Sequence, residues 1–290
     1  MDILFASLLL LSALLTAVRN VLTKSFSDFP FKSREFFGIQ ASIFGVGSLA
    51  LLIANVFSFE GISSFTILYA LIYGVVLLCA QWFYTVALSN GKTAICATIY
   101  SFGFLIPTLS GAIFWHEKIS VFGYLGILMV IPVLLISGLS KKSERAKGNA
   151  ISYLPPLIIA MICSGGLGVI QKIHQGSIYA NQRNSFILIA FFFCFLVSLV
   201  FFLFMKKGES KIKKRNFASC SVIGVFFATC NLLNTFLAGK LDSAIFFPMI
   251  NIGSIVLSLI LGLIIYKEKL NKRDIIVFAL SIASIILVNF

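Results

Sequence analysis

The sequence predicts an all-α integral membrane protein with ten transmembrane helices. Of its 290 residues, 59% are hydrophobic and only 11% are charged, whereas a soluble domain is about 45–50% apolar and about 25% charged. Long apolar runs recur along the whole chain, and they are continuous, unlike the alternating strands of a membrane β-barrel. A helix crosses a hydrocarbon core with about 20 residues, so ten helices use roughly 220 residues and leave only short connections.

Charged residues and clusters of Gly, Pro and Asn delimit ten predicted spans. In order, these are residues 3–23, 36–57, 65–88, 93–115, 119–139, 152–173, 185–205, 216–239, 243–266 and 273–290. The longest polar breaks are residues 141–147 and 206–215. The amino terminus lacks the basic segment of a cleaved signal peptide, so we expect the first span to be retained.

A repeated motif divides the chain into two halves. Residues 111–120 read Gly-Ala-Ile-Phe-Trp-His-Glu-Lys-Ile-Ser, and residues 262–271 read Gly-Leu-Ile-Ile-Tyr-Lys-Glu-Lys-Leu-Asn. The repeat predicts two five-helix units, residues 1–140 and 148–290. An odd number of spans per unit inverts the second unit relative to the first, as in many secondary transporters.

With its five-plus-five helices and the paired Gly-x5-Glu ends of spans four and nine, the chain resembles the EamA-type family of the drug/metabolite transporter (DMT) superfamily. The resemblance covers nearly the whole chain. It implies ten helices around a central cavity, small polar or amphipathic metabolites as substrates, frequent amino-acid export, and both termini in the cytoplasm.

The distribution of basic residues favours the opposite orientation. The loops after spans one, three, five, seven and nine, together with Arg273 at the start of span ten, hold 18 of the 23 Lys and Arg residues. We call the side of these loops the basic side, and the side of the chain termini the terminal side. Positive charge in short loops predicts a cytoplasmic location, so the charge count predicts that both termini are extracytoplasmic, against the family resemblance.

Uncharged polar residues inside the spans are candidates for lining a cavity, because they avoid lipid by default. Two sets share one helical face each, at positions i, i+3 and i+4: Gln81, Tyr84 and Thr85 on span three, and Asn231, Asn234 and Thr235 on span eight. The sets occupy matching positions in the two units, 150 residues apart. Cavity lining and hydrogen bonding between helices both explain this pattern.

Further cavity candidates lie on other spans: Asn20, Trp82, Tyr100, Gln171 and Asn251. The Trp82 ring either stacks on a bound molecule or contacts lipid. Pro107 and Pro248 each free a backbone carbonyl within a span, which predicts either a packing kink or a gating bend.

Arg19 allows two interpretations. It lies about 25 Å along the first span, roughly 5 Å from the edge of the hydrocarbon core. Its guanidinium therefore either reaches the membrane interface or binds a carboxylate of a substrate. All ten acidic residues lie at span ends or in loops, which disfavours coupling through an intramembrane carboxylate.

These patterns predict a secondary transporter or facilitator in the cell (inner) membrane, which moves a small amino-acid-like metabolite by alternating access, with export the expected direction. An alternative is a carrier of nucleotide-like or lipid-linked anions that uses Arg19 and Lys172; a non-transporting membrane scaffold is a third. No catalytic cluster, metal-ligand spacing or nucleotide-binding loop is present. We therefore expect no enzyme activity, metal or cofactor. The expected partners are the substrate and the lipid bilayer, without nucleic acid; the oligomeric state stays open.

Overall fold

A computed structural model describes residues 3–27, 29, 31, 33–56, 58–114, 120–138, 153–206, 214–241, 243–267 and 270–288. Within these ranges every regular element is a helix. The α-helices are α1 (Ile3–Lys24), α2 (Arg34–Val56), α3 (Ser64–Asn90), α4 (Thr93–Ser101), α5 (Leu105–Phe114), α6 (Val121–Gly138), α7 (Leu154–Gln175), α8 (Arg183–Phe204), α9 (Lys214–Ala238), α10 (Ser243–Tyr266) and α11 (Lys272–Val288). Short 3₁₀ turns lie at Phe102–Phe104 and Ala180–Gln182.

The predicted membrane spans are present as helices. In the described part of the chain, eight helical segments are long and apolar enough to cross a membrane, and α4 and α5 together form one of them. The α6 and α11 helices, which match predicted spans five and ten, are shorter. Large apolar side chains lie on the outer surface, such as Leu10 at 68% exposure and Phe204 at 82%. An outer surface of this kind suits lipid, so the protein is a multi-pass membrane protein.

The helices of the two predicted units pack mainly against each other. From the first unit, α1 packs on α9 and α10, and α2 packs on α8 and α9. From the second unit, α7 packs on α3, α4 and α5, and α8 packs on α3. The α6 and α11 helices form a further pair. Exchanging the units maps these pairings of α1 onto those of α7, and the α2–α9 pairing onto the α8–α3 pairing.

The fourth predicted span is interrupted at its centre by the 3₁₀ turn. Gly103 in this turn packs directly on Gly165 of α7: a Cβ atom added at Gly165 would lie 2.4 Å from the Gly103 carbonyl oxygen. Pro107 follows four residues after Gly103 and has no N–H to bond that carbonyl. The interruption therefore coincides with a close backbone approach between the two units. The Glu117 and Glu268 residues of the repeated motif lie outside the described residues.

Candidate functional site

A cavity of about 110 Å³ lies between the two units, lined from α1, α3, α7, α9, α10 and the interrupted span formed by α4 and α5. Eight of the residues proposed from the sequence line it: Arg19, Asn20, Tyr100, Pro107, Gln171, Asn231, Asn234 and Asn251. A water molecule needs about 10–15 Å³ of such space, so the cavity has room for several waters or one small polar molecule.

Arg19 is the cationic residue of this cavity. Its side chain is only 5% exposed, and its Nη2 donates to the Asn20 side-chain oxygen at 2.9 Å. The guanidinium carbon lies 4.4 Å from the centre of the Phe227 ring, and Nε has no hydrogen-bond partner among the described residues. No carboxylate is found among the described lining residues. The cavity thus presents a buried positive charge without an anionic partner in its described lining.

An amide network in the cavity lining joins three helices. The Tyr73 hydroxyl of α3 donates to Asn231 Oδ1 of α9 at 2.6 Å. It also accepts from Gln171 Nε2 of α7 at 2.9 Å. The same Gln171 nitrogen donates to the Thr235 hydroxyl at 2.9 Å. These bonds hold the Asn231 and Gln171 side chains in fixed orientations at the cavity wall.

The remaining lining amides are held by their own helices and by α1. Ser12 donates to Asn234 Oδ1 at 2.5 Å, and Asn251 donates to the Phe247 carbonyl at 2.6 Å. The Tyr100 ring lies 4.6 Å from that of Tyr84. Hydrogen-bonding groups and aromatic faces therefore alternate around the space next to Arg19.

Several other proposed residues lie outside the cavity lining. These are Gln81, Trp82, Tyr84, Thr85 and Thr235. Thr235 supports Gln171 from behind, and the Tyr84 ring lies 5.9 Å from the Arg19 guanidinium. Trp82 packs in an aromatic cluster, with its ring 5.2 Å from that of Phe37. Lys172 is half-buried and also lies outside the lining. The side chain of Pro248 lies outside the described residues.

Sequence reasoning missed Tyr73, which links the two units through its hydroxyl. Its side chain is fully buried. The available signal was its position eight residues before Gln81 on the same helix, because residues seven to eight apart share a face. In the described part of the chain, no group of three or more His, Cys, Asp or Glu residues is placed to hold a metal ion.

Comparison with known proteins gives the following. Residues 152–290 match the profile of the EamA-like transporter family. One solved crystal structure is similar over 97% of this chain and 95% of its own length, with 17% sequence identity and a TM-score of 0.62; at this identity the likeness concerns the fold alone. No curated protein matches the chain in sequence.

Proposed function

From the premise that the chain is an EamA-type membrane transporter of the DMT superfamily, we propose that its substrate is a small amino-acid-like metabolite. The observation that carries this proposal is the buried Arg19 guanidinium beside a cavity of hydrogen-bonding groups. A buried cation is costly unless an anionic or strongly polar group pairs with it. A substrate carboxylate supplies such a group, with the bidentate geometry that a guanidinium favours.

The other lining residues fit the rest of a zwitterion. The side-chain oxygens of Asn231 and Asn251, and the Tyr100 hydroxyl, are acceptors for a substrate ammonium group. Phe227 and Phe247 add apolar and aromatic faces to the same space. The larger nucleotide-like anions of the alternative would need Lys172, which lies outside the described lining. The amino-acid-like substrate is therefore favoured.

We further propose that residues 1–140 and 148–290 form two inverted repeats, and that transport proceeds by alternating access between them. The exchangeable helix pairings described above support this arrangement. A binding site at the interface of inverted repeats is the usual plan of secondary transporters, and the cavity lies at this interface. Transport through such a site needs neither a nucleotide nor a covalent intermediate.

The test is a flux assay in proteoliposomes loaded with a mixture of amino acids and their carboxamides. Release of each compound is followed by mass spectrometry for the wild type, Arg19→Gln and Arg19→Lys. Loss of a charge-assisted bond costs about 1.5–3 kcal/mol, so we expect the apparent affinity of Arg19→Gln for the acid to fall about 10- to 150-fold. Arg19→Lys should restore part of this loss, because lysine lacks the bidentate fork.

The carboxamide serves as the matched control, because it cannot form the charged pair. Its transport should change little in Arg19→Gln. An equal preference for acid over amide in the wild type and Arg19→Gln would contradict the proposed role of Arg19. Absence of flux for every compound in the wild type would contradict the transport proposal itself.

For the orientation, we propose that the basic side faces the cytoplasm, as its Lys and Arg residues predict. Ile178, between α7 and α8 on the terminal side, is 88% exposed. Ser25 is exposed on the basic side, just after α1. In a background without native cysteines, an impermeant thiol reagent added to intact cells should modify Ile178→Cys but not Ser25→Cys. The reverse pattern would place the termini in the cytoplasm.

A further inference from the structure

A second polar cluster lies between α2 and α3, outside the cavity lining. It consists of Gln40, Gln81 and Thr85, each only 1% exposed. The Gln40 amide donates to the Thr85 hydroxyl at 3.4 Å, and Thr85 itself donates to the Gln81 backbone carbonyl at 2.8 Å. Neither side-chain atom of the Gln81 amide, nor Oε1 of Gln40, has a hydrogen-bond partner among the described residues.

Unpartnered amides are unusual in such a buried place. Buried polar side chains nearly always find a partner, and each exception calls for an explanation. Thr85 forms hydrogen bonds within the cluster, so the side-chain atoms without a partner belong to Gln40 of α2 and Gln81 of α3. A binding site whose ligand is absent would leave its amides without hydrogen-bond partners.

The cluster lies towards the basic side of the membrane, whereas the cavity amides lie towards the terminal side. At 1.5 Å per residue, Gln81 is about 13 Å from the end of α3 on the basic side, and Gln40 is about 9 Å from the start of α2 on that side. Asn231 and Gln171 are instead about 10 Å and 6 Å from the ends of their helices on the terminal side. By the same count, Arg19 is about 8 Å from the end of α1 on the basic side, and the Tyr84 ring of α3 lies 5.9 Å from its guanidinium.

On the basic side, hydrogen bonds between elements close the bundle near this cluster. The Tyr266 hydroxyl of α10 donates to the Val21 carbonyl of α1 at 2.9 Å. The Lys24 ammonium donates to the Gly91 carbonyl, between α3 and α4, at 3.3 Å. The Gln40 and Gln81 amides are therefore shut off from water on the basic side in this conformation.

The two polar regions occupy matching positions of the proposed repeats. Gln81 and Thr85 correspond to Asn231 and Thr235, 150 residues later. Asn231 lines the cavity and Thr235 accepts from Gln171 behind that lining, whereas the first pair is buried with its glutamine unpartnered. Inverted repeats change access when one unit moves against the other about a central site. Exchanging the conformations of the two units would then open the first pair and bury the second.

We infer that Gln40, Gln81 and Thr85 form a second binding site on the transport path, which opens to the basic side. It would bind the polar groups of the same small zwitterion through uncharged amide and hydroxyl hydrogen bonds. This inference rests on the transport proposed above.

The test uses cysteine accessibility in vesicles, with the six native cysteines replaced. Gln81→Cys is compared with Ala80→Cys, its neighbour, which is equally buried at 1% exposure but points about 100° away around the helix. The probe is the anionic, impermeant reagent 2-sulfonatoethyl methanethiosulfonate. Labelling of Ser25→Cys identifies the vesicles whose basic side faces the reagent, and Gln40→Cys repeats the test on α2 should Gln81→Cys not fold.

An opposite-facing state present at only about 0.1–10% still exposes the site to the reagent. We therefore expect Gln81→Cys to be labelled from the basic side about tenfold faster than Ala80→Cys or more, and not from the terminal side. Flux is measured in the parent protein that lacks the native cysteines and keeps Gln81. Equal labelling of the two cysteines, when this parent transports, would overturn this inference alone and would leave the cluster as a packing contact. Equal labelling together with no flux in this parent would overturn the transport proposal as well.

Discussion

The Tyr73→Phe substitution tests whether the amide network holds the two units together. It removes one hydroxyl from a fully buried side chain and keeps the ring that packs on Phe186. Two hydrogen bonds are lost, one from Tyr73 to Asn231 and one from Gln171 to Tyr73. Gln171 keeps its bond to Thr235, whereas Asn231 Oδ1 loses the Tyr73 donor.

The magnitude follows from what such bonds contribute in membranes. A hydrogen bond between transmembrane helices contributes about 0.6 kcal/mol on average and at most about 1.7 kcal/mol. Two bonds therefore predict a loss of about 1.2 kcal/mol in the free energy of unfolding, with an upper limit of about 3.4 kcal/mol. The loss should fall near the upper limit if the Asn231 oxygen finds no water, because an orphaned buried acceptor adds its own cost.

Equilibrium unfolding in mixed micelles of dodecyl sulfate and dodecyl maltoside, followed by circular dichroism, measures this free energy. The matched control is Tyr69→Phe, one helical turn earlier on α3, where the Tyr69 and Phe65 ring centres lie 4.3 Å apart. It undergoes the same chemical change, at a half-buried site outside the cavity lining. If both variants unfold with the same free energy, the network does not stabilise the contact between the units.

Two further substitutions test the contacts around the cavity by the same unfolding measurement. Gly165→Ala should lower the free energy of unfolding by about 1–3 kcal/mol, because its Cβ would lie 2.4 Å from the Gly103 carbonyl oxygen. The control, Gly166→Ala, has its nearest contact at 3.5 Å and should be neutral or slightly stabilising. Equal effects of the two substitutions would contradict the close backbone approach. On the basic side, Asp274→Asn breaks an ion pair with Lys92 in which the aspartate is fully buried. It should cost about 3–5 kcal/mol, and a loss below about 1 kcal/mol, the usual limit for an exposed pair, would show that this ion pair is solvated.

The sequence was sufficient to predict the helical spans, because membrane thickness fixes the length of every apolar run. The predicted span 243–266 coincides with α10. The α2 helix begins at Arg34, two residues before the predicted start of span two. The 3₁₀ interruption of span four was not predicted. Its residues Phe102–Phe104 are as apolar as their surroundings, and hydropathy does not register a change of backbone geometry. Pro107 was the only local signal, and it was equally compatible with a simple kink.

For the site, the sequence indicated which polar side chains avoid lipid but not which ones share a space. Gln81 and Asn231 are equivalent in pattern, since both begin an i, i+3, i+4 face at matching positions. Only Asn231 lines the cavity. Helical periodicity gives the direction of a side chain around its own helix, whereas the neighbour that it meets depends on how the two units pack. Arg19 could not be placed from depth alone for the same reason.

The interruption of the fourth span makes the two proposed repeats unequal. Its counterpart in the second unit, α10, is a continuous helix, and the cation lies in the first unit whereas Asn231 and Gln171 lie in the second. The two proposed repeats are therefore complementary rather than equivalent. Two fused copies of residues 148–290 would lack Arg19 and Tyr73, and two copies of residues 1–140 would lack the amide wall. Duplicating either half therefore does not reproduce the set of cavity residues that the whole chain provides.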